Sequence, residues 1–79
     1  MENVNLYEGV ELTRDTGNLK AGSHGVVVDL YDGGRVAEVE FMDSHGDTVA
    51  VEPIDASLLR VIADTHGRPL LNATAGTKR

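Results

Sequence analysis

Short runs of alternating apolar and polar residues, separated by turns rich in glycine and aspartate, occupy most of the first 62 residues. Alternation with a period of two is typical of strands that bury one face and expose the other. Five such runs are predicted as strands, over residues 10–13, 26–31, 37–41, 48–52 and 58–62. The pattern therefore predicts an all-β domain.

The segments between these runs indicate how the strands connect. "DGGR" (32–35) is predicted as a hairpin turn, since glycines tolerate positive φ angles, and "DSHGD" (43–47) as the next turn. Pro53 has no N–H to donate, so it is expected to end the fourth strand or to lie at a sheet edge. A single 3₁₀ turn opening near Asp55 or Ser57 is expected before the last strand.

Together these elements predict a small five-stranded SH3-like β-barrel over residues 1–62. Residues 63–79 have no sustained period and many small polar side chains, so they are predicted to form a flexible C-terminal tail. The inward-facing positions predict the core, with Phe41 as its only aromatic. The predicted core residues are Val10, Leu12, Val26, Val28, Leu30, Val39, Phe41, Val49, Val51, Ile54, Leu59 and Val61.

Composition limits the chemistry that is available to this chain. There is no cysteine, which excludes disulfides, thiolate metal sites and a cysteine nucleophile, and which suits a reducing cytoplasm. No stretch approaches the ~20 apolar residues of a membrane helix. The start of the chain lacks the basic residues and apolar run of a signal peptide. A cytoplasmic protein without membrane contact is therefore expected.

Acidic charge is concentrated in the predicted domain. Residues 1–62 contain 12 acidic and 4 basic side chains, a net of −8. Such a surface repels phosphates, so nucleic-acid binding is not expected, whereas a basic protein partner would fit. Glu38 and Glu40 lie on the outer face of one predicted strand, with Asp29 and Glu52 on its neighbours. These four residues are the predicted partner-binding site, and a merely solvated strand face is the competing interpretation.

The three histidines occur in similar triplets, "SHG" at 23–25, "SHG" at 44–46 and "THG" at 65–67. Imidazoles from several loops can bind zinc or nickel, so His24 and His45 are weak candidates for a metal site. They are separated by whole strands, however, and the third triplet falls in the predicted tail. We therefore expect no cofactor, and interpret the triplets chiefly as turns between strands.

Four stretches of the chain resemble one known family. They are Leu6-Tyr7, "LKAGSHGVVV" (19–28), "EVEFMDSHGDT" (38–48) and "LLRVI" (58–62). Over residues 6–62 the chain resembles the small bacterial proteins grouped as domain of unknown function 4926. The resemblance implies an SH3-like barrel and a bacterial source, and it carries no catalytic or binding residues. It also suggests a toxin–antitoxin-like or accessory gene setting.

An enzyme is not expected, because a serine–histidine site needs an oriented base and a rigid oxyanion hole that one β-turn does not supply. The leading hypothesis is a non-catalytic protein–protein interaction module, antitoxin- or immunity-like or accessory to a neighbouring gene product. The alternative is a small regulatory or metal-responsive domain that uses the histidine turns. Either a monomer or a homodimer through exposed strand edges fits this pattern.

Overall fold

A computed structural model describes residues 4–70 of the chain. Its five strands are β1 (Gly9–Leu12), β2 (His24–Tyr31), β3 (Val36–Met42), β4 (Thr48–Asp55) and β5 (Leu59–Ala63). One 3₁₀ turn, Asp32–Gly34, joins β2 to β3, and a second, Ala56–Leu58, precedes β5. The described residues contain no α-helix. The predicted all-β fold, with five strands and a 3₁₀ turn before the last, is confirmed.

All strand pairs are antiparallel, and the spatial order is β4-β3-β2-β1-β5. Buried residues from all five strands belong to one hydrophobic cluster, so the sheet wraps around a single core. Among residues 4–70, however, no ladder joins β4 to β5. The sheet is therefore open rather than closed into a full barrel, and β4 and β5 are its two edges. The expectation that Pro53 lies at an edge is confirmed, since Pro53 is in β4.

Six of the predicted core residues are confirmed as buried: Val10, Leu12, Val39, Phe41, Ile54 and Leu59. Leu30 and Val61 are half-buried and pack against this core. Four further residues that were not predicted are also buried: Val4, Val27, Ala37 and Ala56. The prediction was wrong for Val26 and Val28, which are half-buried, and for Val49 and Val51, which are exposed.

The error in β2 comes from an irregularity inside three consecutive valines. Val27 pairs with Val39, whereas the next paired residue is Asp29, so the register shifts at Val28. Such a β-bulge places one extra residue on the strand and reverses the alternation beyond it. Val27 consequently points into the core before the bulge, and Leu30 points the same way after it.

The error in β4 has the same physical cause. Phe41 pairs with Ala50 and Met42 pairs with Thr48, so Val49 has no partner across the ladder. Beyond this bulge, Val51 lies opposite Glu40 and therefore shares its outer face. An alternation inferred from Val49 and Val51 alone therefore predicts the wrong face of β4 as the one that packs against the core.

Two of the three histidine triplets belong to the same kind of turn. The Asp43 Oδ1 atom accepts hydrogen bonds from the amides of His45 (2.9 Å) and Asp47 (3.0 Å). The Asp64 Oδ1 atom accepts equivalent bonds from the amides of His66 and Arg68, both at 2.9 Å. In each turn the glycine after the histidine has a positive φ, 85° and 81°, which glycine adopts without strain. The triplets at 44–46 and 65–67 are thus equivalent turns, whereas the first triplet opens β2.

The second of these turns lies where the tail was predicted to begin. Ala63 is the last residue of β5, and it forms an isolated antiparallel bridge with Pro69. The amide of Leu70 donates to the Ile62 carbonyl at 3.1 Å. Residues 64–70 therefore turn back along the end of β5, and the remainder of the predicted tail, 71–79, lies outside the described residues.

Candidate functional site

Three of the four predicted binding residues lie together on the outer face of β2 and β3. Glu38 lies directly opposite Asp29 across the ladder, and Glu40 is the next outward-facing residue along β3. Glu38 and Glu40 are half-buried, and Asp29 is exposed. We call these three carboxylates the acidic face.

Glu52 does not belong to this group, which corrects the prediction. It lies opposite Val39, whose side chain is fully buried, so Glu52 occupies the other side of the sheet. It is nevertheless exposed, because β4 is an edge strand. The misplacement follows from the bulge at Val49, since a shift of one residue moves every later side chain to the opposite face.

Neutral groups, rather than cations, hold the acidic face. The Tyr31 hydroxyl donates to Glu38 Oε1 at 2.8 Å, and the Leu30 amide donates to Asp29 Oδ1 at 2.8 Å. The Thr48 hydroxyl donates to the Glu40 carboxylate. These contacts orient the carboxylates without removing their charge.

Ion pairs between residues 4–70 lie elsewhere. Glu11 pairs with Arg60 and lies 3.9 Å from His24, and Asp64 pairs with Arg68. None of these pairs includes a residue of the acidic face. The negative charge of that face is therefore not neutralised by any cation in the described part of the chain.

Tyr31 is a functional candidate that the sequence analysis missed. Its hydrogen bond to Glu38 raises the pKa of Tyr31 to about 12, with further contributions from burial and from the charge of Asp29. Tyr31 therefore stays a protonated donor to a higher pH than an ordinary tyrosine, whose pKa is 10.0. The signal was present in the sequence: a hairpin through 32–34 brings residues 29 to 31 beside residues 36 to 38.

Apolar side chains border the acidic face on the β4 side. Val51 lies opposite Glu40 and is 49% exposed, and Pro53 lies opposite Glu38 and is also exposed. Val49, at the bulge, is 59% exposed. The outer surface thus passes from carboxylates on β3 to uncovered apolar groups on β4.

A groove of about 510 Å³ lies along the same strand, between β4 and the loop that connects β1 to β2. The tip of that loop is held by reciprocal backbone hydrogen bonds between Thr16 and Leu19, at 2.9 and 2.8 Å. The apolar lining comes from Leu19, Val49, Ala50, Pro53 and Ile54, and Glu52 is the acidic residue of the groove. No motif in the sequence predicts this groove, because it depends on where the loop tip folds.

His24 and His45 are separated in sequence by most of β2 and β3, yet they lie at the same end of the sheet. His24 pairs with Met42, the last residue of β3, and the turn that carries His45 follows directly. Within residues 4–70, however, no three histidine, aspartate or glutamate side chains are grouped so that they could hold a metal ion. The metal-responsive alternative therefore has no ligand set in this part of the chain.

The described residues thus form a small all-β protein. Its open antiparallel sheet has an acidic face that no cation among these residues neutralises and an edge strand with exposed apolar side chains. The chain belongs to the family described as domain of unknown function (DUF4926), whose model matches residues 6–61. The match covers nearly the whole stretch that carries the resemblance and confirms it. Comparison with curated proteins gives no match, and neither does comparison with solved structures. No helix in the described part of the chain is long and apolar enough to cross a membrane.

Proposed function

We propose that this protein is a non-catalytic interaction module that binds a basic segment of another protein on its acidic face. The observation that carries the proposal is the grouping of Asp29, Glu38 and Glu40 on one face without a compensating cation among residues 4–70. Arginine binds carboxylates through two parallel charge-assisted hydrogen bonds, and lysine binds them as a point charge. A partner that supplies such side chains would neutralise this face.

The contacts of the acidic face favour binding in two ways. Hydrogen bonds from Tyr31 to Glu38 and from Thr48 to Glu40 fix both carboxylates before a partner arrives, so less side-chain entropy is lost on binding. Residues 4–70 contain 12 acidic and 5 basic side chains, a net of −7. That field attracts a basic partner and accelerates its association, and it disfavours nucleic acid as the ligand.

The same proposal extends to the cellular role. A small acidic protein that covers a basic surface of its partner would act in the manner of an antitoxin or immunity protein, or as an accessory subunit. The absence of cysteine supports action in the cytoplasm. We propose that the partner is encoded near the gene for this chain.

Charge reversal at the acidic face tests the proposal. A Glu38→Lys, Glu40→Lys variant should lose the partner that co-purifies with the wild-type chain from its native host. A matched control, Asp32→Lys with Asp47→Lys, makes the same change in net charge in the turns at the two ends of β3. Both variants are checked for folding by circular dichroism. Retention of the partner by the first variant, or equal loss by both, would contradict a role for this face.

A further inference from the structure

One backbone hydrogen bond defines which groups of β4 face the free edge. The Ala56 amide donates to the Arg35 carbonyl at 2.8 Å, and these two residues lie next to the paired residues Asp55 and Val36. In an antiparallel ladder, hydrogen-bonded and non-hydrogen-bonded pairs alternate. Because Arg35 and Ala56 are hydrogen-bonded to each other, the next pair, Val36 and Asp55, is a non-hydrogen-bonded pair. Asp55 therefore turns its backbone groups away from β3.

The alternation then extends along β4. Ile54 and Glu52 direct their backbone groups to β3, whereas Pro53 and Val51 direct theirs to the free edge. This phase explains why proline is tolerated at position 53, since its missing N–H falls outside the ladder with β3. The free edge consequently offers the N–H and C=O of Val51 and the C=O of Pro53.

The surfaces on the two sides of this edge differ in chemistry. On the outer side, Val51 lies beside Glu40 of the neighbouring strand β3, and Pro53 lies beside Glu38. On the inner side, the edge opens into the groove, whose apolar lining includes Leu19 and Ile54 and reaches the edge at Pro53. Alternate side chains of a strand lying along β4 would face these two surfaces in turn.

We propose that the free edge of β4 accepts an extended segment of the partner as an added strand, with basic residues on the outer side and apolar residues on the groove side. This inference rests on the proposed function, because it assigns the binding mode of the same basic partner. Neighbouring strands are about 4.8 Å apart, so an outer side chain of the added strand starts about 10 Å from the Glu40 backbone. An arginine or lysine side chain lying over Val51 spans this distance together with the glutamate side chain.

Charge and backbone chemistry favour such a partner over a second copy of this chain. A two-fold β4–β4 pairing centred on Val51 would set Pro53 opposite Val49 twice, and would lose a hydrogen bond at each position. It would also place two acidic faces on the same side of the joined sheet. Each copy carries a net charge of −7 over residues 4–70, so the two would repel.

A peptide titration tests this binding mode. The probe is an acetylated nine-residue peptide of alternating arginine and valine, measured by isothermal titration calorimetry against the full chain. Val51→Pro removes the edge N–H, which the ladder with β3 does not use, and should weaken binding about tenfold or more, since one lost hydrogen bond and a displaced strand cost about 1.4 kcal/mol or more. The control variant Val51→Thr keeps the N–H and should bind within about threefold of the parent.

A modified peptide gives a measurement that does not depend on any variant folding. N-methylation of alternate amides on the edge that faces β4 blocks its hydrogen bonds and leaves its charge unchanged. Strand addition predicts that this methylated peptide binds about tenfold or more weakly than the same peptide methylated on its opposite edge. Equal affinity of the two peptides would overturn strand addition.

The outcomes separate this inference from the proposed function. If Glu38→Gln with Glu40→Gln weakens peptide binding while Val51→Pro does not, strand addition is overturned and the acidic face remains the binding site. If the peptide does not bind at about 1 mM, both proposals are overturned. If sedimentation shows a dimer of the parent chain that Val51→Pro converts to a monomer, a second copy occupies the edge and the inference is wrong.

Discussion

Replacing Gly25 with alanine should destabilise this protein, although glycine to alanine within a strand usually stabilises by about 0.5–1 kcal/mol. Gly25 is buried in β2 with Phe41 directly opposite. A Cβ atom at this position would lie 2.6 Å from the Glu40 carbonyl oxygen and 2.6 Å from Val39 Cγ1. Favourable carbon contacts lie at about 3.5–4.0 Å, so the added Cβ atom would have to move roughly 1 Å away from each of these two atoms.

The magnitude follows from what must move. The Val39 side chain is fully buried and can shift little, and the Glu40 oxygen belongs to the backbone of β3. Overpacking of this kind costs about 1–3 kcal/mol, and disturbing a ladder bond costs about 0.5–1.5 kcal/mol more. After the gain from replacing glycine is subtracted, the net loss is about 0.5–4 kcal/mol. A domain of 79 residues has a total stability of about 4–12 kcal/mol, so a net loss near the middle of its own range, about 2 kcal/mol, leaves the variant folded and measurable.

Reversible urea unfolding, followed by far-UV circular dichroism, measures the loss. With a slope of about 1 kcal/mol per M, the midpoint should fall by about 0.5–4 M. Val39→Ala in the same chain removes Cγ1 but leaves the Glu40 carbonyl, so it should relieve the strain only in part. A Gly25→Ala variant as stable as the parent would refute the reasoning, because it would mean that β2 and β3 are not in this close contact.

Three further predictions follow from the packing and the hydrogen bonds. Phe41→Ala should cost about 3–5 kcal/mol, since the ring is fully buried, and a variant that melts like the parent would contradict this core assignment. Gly9→Ala should destabilise because its Cβ would lie 2.9 Å from the Ala63 Cβ, and adding Ala63→Gly should restore the urea midpoint by moving the methyl group to the other strand. Tyr31 should titrate near pH 12 by ultraviolet absorbance, and Glu38→Ala should lower that pKa towards 10.0. Since the folded pKa is raised, the stability from this pair is fully present below pH 10.0 and is lost as the pH rises through about 12; a pKa of Tyr31 unchanged by Glu38→Ala would argue against the hydrogen bond.

The sequence predicted those parts of the fold in which local pattern and burial agree. In β3, the strict alternation of residues 37–41 correctly predicted that Val39 and Phe41 face the core and that Glu38 and Glu40 face outward. The turn at 43–47 was also predicted, because aspartate and glycine at that spacing have strong local preferences. The 3₁₀ turn before β5 was predicted as well, and there the Asp55 side chain accepts from the Ser57 amide.

The sequence failed where a bulge breaks the period of two. Val28 and Val49 are both valines inside apolar runs, and nothing in their composition marks them as the extra residue. Bulges are set by the match between neighbouring strands, which is a tertiary property. Two errors in the candidate site followed: Glu52 was predicted to belong to the acidic face, and Val51 was predicted to be buried although it is exposed.

The order of the strands has a consequence for how the chain acquires its structure during synthesis. β2, β3 and β4 pair as successive hairpins, so each finds its neighbour soon after it is made. β1, in contrast, pairs with β5 through Leu12 and Leu59, and that partner is among the last described elements to be translated. Until residues 59–63 emerge, one edge of β1 and the core beneath it stay uncovered. The nascent chain is therefore most exposed to misassociation just before its fifth strand appears.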